Sequence, residues 1–431
     1  MKAISVLIGA ALIAASCSAA GEEAAPPSTL ALQSETIPEP PQPSIETTTT
    51  TVPRTVPEFE PINNYHAWHG APDTTTAPTT TTTAPPATAA PATAAPVNDG
   101  GGGAPAVTSS GGSPQAPSSL YKGVLGTYSL DQVFASSAVP SPATAAGTFP
   151  LTGGAGTAAN RPAVVVKVDN SSKARPQSGL NQADIVFEEE VEYGITRFAA
   201  VFHSKDATVG PVRSGRSTDI SFLNAFGQPA LAYSGANKVI DRLLLNQVNI
   251  SNYSAARSSG YWRSSSRRAP SNLYTKTSSF SSIAPGGAPP AQFHYRPAGV
   301  GSPVGAASGG FRINYPSNKV RWEWNGVGWV RYQGGSLHTT DGEPVNAANV
   351  VVVSVKSAGT GLFDSTGAPV PEFVFVGTGN AVIYTDGRRI DGHWTRPTLR
   401  DPAILHGNGQ RIELTPGRTW VEIVSPGQFQ G

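Results

Sequence analysis

Residues 161–216 read RPAVVVKVDNSSKARPQSGLNQADIVFEEEVEYGITRFAAVFHSKDATVGPVRSGR. Short apolar runs alternate here with dense polar turns, and their order predicts the fold. Ala163–Val168 (AVVVKV) is a nearly continuous β-branched run, which suits a buried strand. Asp169 and Asn170 follow at its C-terminal end, where a polar pair either closes an Asx-type turn or projects into a crevice. In the next loop Pro176 fixes its own φ and drives Arg175 toward an extended conformation, while Gly179 permits a tight bend. Arg175 and Gln177 are thereby aimed in defined directions. The segment ADIVFEEEVEYGITRFAAVFHS reads as a β-hairpin turning at Tyr193-Gly194. A two-residue loop there sets Glu190 opposite Arg197. Strand side chains alternate, so Glu188 and Glu190 share one face and Glu189 takes the other. At least one of the three carboxylates therefore points to the buried side and needs a cation, which Arg213 or Arg216 can supply.

Working outward, Val209-Gly210-Pro211 makes a turn, and Ser214 or Ser217 can cap a helix carrying Ile220, Phe222, Leu223 and Phe226 that stops at Gly227. Arg213 and Arg216 stand just before it. They either form an anion seat or act as structural partners of Glu188–Glu190. Pro229–Gly235 reads as a strand, and Asn237–Asn246 as a helix with Val239, Ile240, Leu243 and Leu244 on one face. Arg257, Arg263, Arg267 and Arg268 then interleave with Tyr253, Tyr261, Trp262 and Tyr274. That pattern fits stacking on sugars or anionic polymers, and equally a solvated loop with snorkelling arginines. After a Gly/Pro-rich linker at 285–310, short strands such as NVVVVSVK and TWVEIV are separated by Gly, Asn-Gly and Asp-Gly turns, an antiparallel β signature. Trp322, Trp324, Trp329, Trp394 and Trp420 are spread through this part and read as core. The expected fold class is α+β: a mixed α/β domain over 120–284, the 285–310 linker, and a mainly antiparallel β domain over 311–431.

Upstream the chemistry changes. Residues 1–17 read MKAISVLIGAALIAASC: Lys2, an apolar run too short for the ~20 residues a membrane span needs, then small residues before Cys17. This resembles a bacterial lipobox, which implies that Cys17 carries palmitate-type acyl chains and anchors the mature chain in a membrane. Residues 18–119 are rich in Thr, Pro, Ala and Gly and cannot bury enough apolar surface to offset chain entropy, so a disordered stalk is expected. Within it His66 and His69 flank Trp68, a weak metal signal and more simply a short sticky segment of linker. At Ser119–Ala135, SLYKGVLGTYSLDQVFA suggests a short docking element.

Among 431 residues, 30 are Lys or Arg and 29 are Asp or Glu. The net charge of +1 argues against nucleic acid as a partner. Cys17 is the one cysteine, which excludes an intramolecular disulfide and a thiolate metal cluster. No metal-ligand spacing, cofactor motif or G-x-S-x-G nucleophile occurs.

The segments RPAVVVKVDN, ARPQSGLNQADIVFEE, GITRFAAVFHS, VGPVRSGR and APSNLYT, with FPLTGG upstream and YTDGRRIDGHWTR and PGRTWVEIV downstream, stand in the order seen in YerB-like bacterial lipoproteins. The resemblance runs from about Phe149 to Val424. It implies two domains of unassigned function on a secreted, often lipid-anchored protein, and no activity. Related sequences often carry a histidine where this chain has Ser271, which lowers the expectation of general-base catalysis here.

The expected role is ligand or partner binding on the outer face of the cytoplasmic membrane, toward a wall polymer or envelope protein. Asp169, Asn170, Arg175, Gln177, Arg197, Arg213 and Arg216 are the candidate contacts. The alternative is an envelope hydrolase or transferase using Asp169, Glu188 and Glu190 as acid and base.

Overall fold

A strand rich in valine and buried along its whole length, Val164–Asp169 (β1), starts the main sheet. The computed structural model describes residues 121–125 and 139–431, so Cys17, the 18–119 stalk and its His66 and His69 lie outside the described residues. The longer elements after β1 are Ile185–Glu190 (β2), Thr196–Phe202 (β3), Thr218–Leu223 (α1), Ala230–Tyr233 (β4), Lys238–Leu245 (α2) and Ser251–Ser254 (β5). Gly310–Asn314 (β6), Lys319–Trp324 (β7) and Trp329–Gln333 (β8) come next. They are followed by Asn349–Ser354 (β9), Ser357–Phe363 (β10), Pro369–Phe373 (β11), Gly377–Thr385 (β12) and Arg388–Arg396 (β13). Ile404–Gly407 (β14), Gln410–Arg411 (β15) and Thr419–Val424 (β16) complete the set. The described chain is mostly strand with few and short helices. Among the described residues no helix is long and apolar enough to cross a membrane.

One twelve-stranded sheet runs β15-β14-β13-β12-β9-β16-β2-β3-β1-β4-β5, with Ala306–Ala307 beside β13. Its centre is sewn by parallel pairings of β16 with both β9 and β2, so strands far apart in sequence are neighbours. β9 (NVVVVS), β16 (TWVEIV) and β1 (VVVKVD) are valine-rich because both sheet faces are covered there. On one face α1 and the β10–β11 hairpin pack: Phe187 stacks on Phe222 at 4.5 Å, and Leu362, Val370 and Phe373 join the same core. On the other face lies a six-stranded sheet built on β6, β7 and β8. There Phe311 stacks on Tyr384 at 3.9 Å and Trp322 meets Trp420 edge to face at 5.3 Å. The tryptophans Trp322, Trp329, Trp394 and Trp420 are fully buried, as a core role requires. Tyr121 and Leu125 are also buried: Tyr121 donates to Glu372 of β11, and the Val124 amide does so at 2.7 Å.

Two local expectations are corrected. The β2–β3 connection is a three-residue turn, Glu192–Gly194, closed by the Val191 amide on the Ile195 carbonyl at 2.8 Å. Tyr193 and Gly194 both sit at positive φ, 63° and 65°. The extra loop residue shifts the register by one, so Glu189 faces Arg197 and Glu190 faces Thr196. The helix after Arg216 is α1, shorter than expected, and neither serine caps it. Ser217 itself has helical φ and ψ and makes no capping bond, while Asp219 accepts the Arg216 amide at 2.8 Å. Gly227 does end the following 3₁₀ turn at positive φ, and α2 is capped by Asn237 accepting from the Val239 amide at 2.9 Å.

Candidate functional site

Two polar clusters lie back to back on opposite faces of β1, β2 and β3. Alternation along the strands decides which residue joins which. Lys167, Asp169, Glu189 and Arg197 share the face that α1 covers, in register across the three strands. Glu188 and Thr196 face the second sheet.

The cluster facing the second sheet is closed. Arg331 of β8 binds Glu188 with two hydrogen bonds, at 2.8 and 2.7 Å, and both side chains are fully buried. Thr196 Oγ1 and Trp420 Nε1 add donors to the same carboxylate at 2.7 and 3.3 Å. Arg331 also donates to His338 Nδ1 at 2.6 Å, so His338 Nε2 is the donor to Gln177 Oε1 at 2.7 Å. Gln177 in turn donates to the Asp169 carbonyl and to Asn170 Oδ1. Burial, then Arg331 and Arg175, push the His338 imidazole well below its ordinary range, which keeps it neutral. Burial and the nearby Glu188 push the Glu422 carboxyl well above its own, and Tyr315 and Trp322 donate to it at 2.8 Å each. These side chains are all buried, and apart from Arg331 Nε their polar atoms are partnered within the network.

The other face opens into a cleft of about 650 Å³ lined by Arg197, Arg213 and Arg216, with the β10–β11 hairpin as the opposing wall. Arg213 Nε approaches Asp169 at 3.3 Å, and Ser271 Oγ donates to the same carboxylate at 3.0 Å. Arg216 pairs with Glu192. Arg197 donates from Nη1 to the Ser214 carbonyl at 3.1 Å, and among the described residues no carboxylate lies within ion-pair distance of it. Its residue exposure is 5 %. Burial, then the neighbouring Arg216, push its guanidinium down to about 9. Tyr193 and Phe363 stand at the mouth, each 59 % exposed. Tyr193 Oη meets Thr366 Oγ1 at 2.6 Å and Asn237 Nδ2 donates to the Phe363 carbonyl at 3.1 Å, so the hairpin tip is pinned over the cleft.

The candidate residues are thus divided. Arg197, Arg213 and Arg216 converge on the cleft, with Asp169 behind them. Asn170 and Gln177 belong to the closed network, and Arg175, extended at φ −88° and ψ 145°, feels the charges of Arg331 and Glu188 there. The cation that Glu188 requires is Arg331, not Arg213 or Arg216. The cation for Glu189 is Lys167, which also binds Asp219 at 2.6 Å. Asp169 and Glu188 lie on opposite faces of the sheet, and Glu190 is tied to Gln428 at 2.6 Å, so these three carboxylates do not assemble into an acid–base pair. Most of the 257–268 arginines also have local partners: Arg257 binds Asp241 at 2.6 Å, Arg263 binds Asn272 at 2.6 Å, and Arg267 binds the Ala174 carbonyl at 2.9 Å. Among the described residues no group of three or more His, Cys, Asp or Glu side chains is placed to hold a metal.

Sequence reasoning passed over Lys167, Arg331 and the β10–β11 wall. A signal existed for the first two. Lys167 interrupts an otherwise apolar strand, and Arg331 sits two residues from Trp329 on the inward face of β8, so each is a charge that must find a buried partner.

Residues 151–288 match the family model described as "Protein of unknown function (DUF3048) N-terminal domain", and residues 311–421 match its C-terminal domain. A protein described as "Putative lipoprotein YerB", from Bacillus subtilis (strain 168), is 29% identical over 286 residues, covering 61% of this chain and 81% of that protein. The crystal structure of YerB from Bacillus subtilis superimposes with a TM-score of 0.55 at 26% identity, over 64% of this chain and 96% of that one. The β2–β16 pairing makes one sheet of the two matched segments. The chain therefore belongs to the DUF3048 family and is YerB-like, with both family domains in sequence.

Proposed function

We propose that this protein is a lipid-anchored lipoprotein of the cell envelope. It is held at Cys17 on the outer face of the cytoplasmic membrane, where the cleft at Arg197, Arg213 and Arg216 binds a wall polymer or an envelope protein. The observation that carries the binding role is Arg197, a buried guanidinium lining an open cleft without a carboxylate partner among the described residues. A buried charge of this kind is costly unless a ligand completes its coordination. The lipobox-like end at Cys17 and the naming of the Bacillus subtilis relative as a lipoprotein support the anchor. No observation favours the hydrolase alternative.

The test has two parts. Cys17→Ser is expected to move the protein from the membrane fraction to the soluble fraction. Full-length protein on beads is expected to retain purified wall polymer or a crosslinked envelope protein, and Arg213→Ala is expected to release it. Retention of neither, or equal retention by the variant, refutes the binding role.

A further inference from the structure

We infer that the cleft seats the phosphoryl group of a phosphorylated sugar or polyol, with Arg197, Arg213 and Arg216 around the phosphate and Tyr193 and Phe363 against the carbon skeleton. This rests on the binding role assigned above and specifies its chemistry.

Three guanidinium groups line the cleft and two carboxylates answer them, Asp169 at Arg213 and Glu192 at Arg216. One positive charge, on Arg197, is left over. Lys238 adds another cation to the lining and Asp364 another carboxylate, which is already held by the backbone N–H groups of Thr366 and Ala368 at 2.8 and 2.9 Å. The deficit at the arginines is therefore one anion. Among the described residues, the Nε atoms of Arg197 and Arg216 are buried without a hydrogen-bond partner, and the Nη groups of Arg213 have none either. Arg213 keeps 30% of its side chain exposed, so the cluster is reachable from solvent.

Geometry selects among anions. A carboxylate is planar and satisfies one guanidinium fork, whereas a phosphoryl group presents oxygens in several directions. Here one fork comes from β3 and two from the loop before α1, so the donors arrive from separate backbone segments. A tetrahedral acceptor fits that arrangement better than a planar one. Two large exposed rings then stand beside the charge, which is the arrangement that stacks a sugar or polyol next to its phosphate. Neither ring is needed for an ion alone. The cleft is also large enough for more than the ion, at about 650 Å³.

The experiment is calorimetric titration of the full-length, detergent-solubilised protein with four probes: inorganic phosphate, glycerol 3-phosphate, glucose 1-phosphate and glucuronate. Saturable binding of the three phosphate-bearing probes is expected, with glucose 1-phosphate tightest and glucuronate at least about tenfold weaker. Arg213→Ala, at a partly exposed position, is expected to weaken all phosphate-bearing probes by about tenfold or more. Phe363→Ala is expected to leave inorganic phosphate unchanged and to remove the advantage of glucose 1-phosphate over it. Arg197→Met serves as a third variant where it folds. Equal binding of glucuronate, no binding of any phosphorylated probe, or a Phe363→Ala effect as large on inorganic phosphate as on the sugar phosphate overturns the proposal. If wall polymer or an envelope protein is still retained on beads while the phosphorylated probes fail, the phosphate assignment falls and the binding role stands.

Discussion

Replacing Arg331 by methionine tests whether the Glu188 cluster is a structural network. Arg331 and Glu188 are both fully buried, and the pair is joined by two hydrogen bonds at 2.8 and 2.7 Å. Methionine keeps much of the volume between Phe198 and Trp420, over whose rings the guanidinium lies at 5.4 and 5.3 Å. What is lost is the charge, with the hydrogen bonds to Gln333 Oε1 and His338 Nδ1 at 2.6 Å each. Glu188 keeps Thr196 and Trp420 as donors but has no cation, and Glu422 beside it is already pushed up by burial and by Glu188. Removing one partner of such a pair costs about 3–5 kcal/mol, against a total stability of ~5–15 kcal/mol. Urea unfolding followed by tryptophan fluorescence should show the midpoint falling by roughly 1–2 M, for a slope near the top of the usual range. The double variant Glu188→Gln with Arg331→Met removes both charges and should regain most of the loss. A single variant within about 1 kcal/mol of the wild type, or a double variant no better than the single, would refute the reasoning.

Two further outcomes follow from the same packing. His338 is held neutral in the folded state by burial, Arg331 and Arg175, so the unfolded chain takes up a proton there below about pH 6.5 and the folded chain does not. Its contribution is present above that pH and is lost below it at up to about 1.4 kcal/mol per unit. The stability gap between wild type and His338→Gln should therefore shrink between pH 7.5 and pH 5 in urea titrations, and a constant gap would contradict the assignment. Gly194→Ala should lower the thermal midpoint by the equivalent of about 1–2 kcal/mol. Its φ is +65°, and an added Cβ would stand 2.4 Å from Pro316 Cβ. An unchanged midpoint would mean that the β2–β3 turn has another conformation.

Much of the local structure is legible in the sequence. The β-branched run at β1, the alternation that separates Glu188 from Glu189, the α2 helix, and a hairpin turn at Tyr193-Gly194 all follow from neighbour-range physics. The sequence also named arginines 197, 213 and 216 as candidate contacts, but together with Asp169, Asn170, Arg175 and Gln177. It could not decide what stands opposite them. The partner of Glu188 is 143 residues away, and the cleft wall comes from β10–β11. Even the turn was off by one residue, because a two-residue and a three-residue loop leave nearly the same local signature. Burial is set when β16 inserts between β9 and β2 and joins the two family-matched segments in one sheet. Only then is one polar face of β1–β3 sealed by Arg331 while the other stays open. A charge's partner is chosen by which segments meet in space, and no local pattern encodes that meeting.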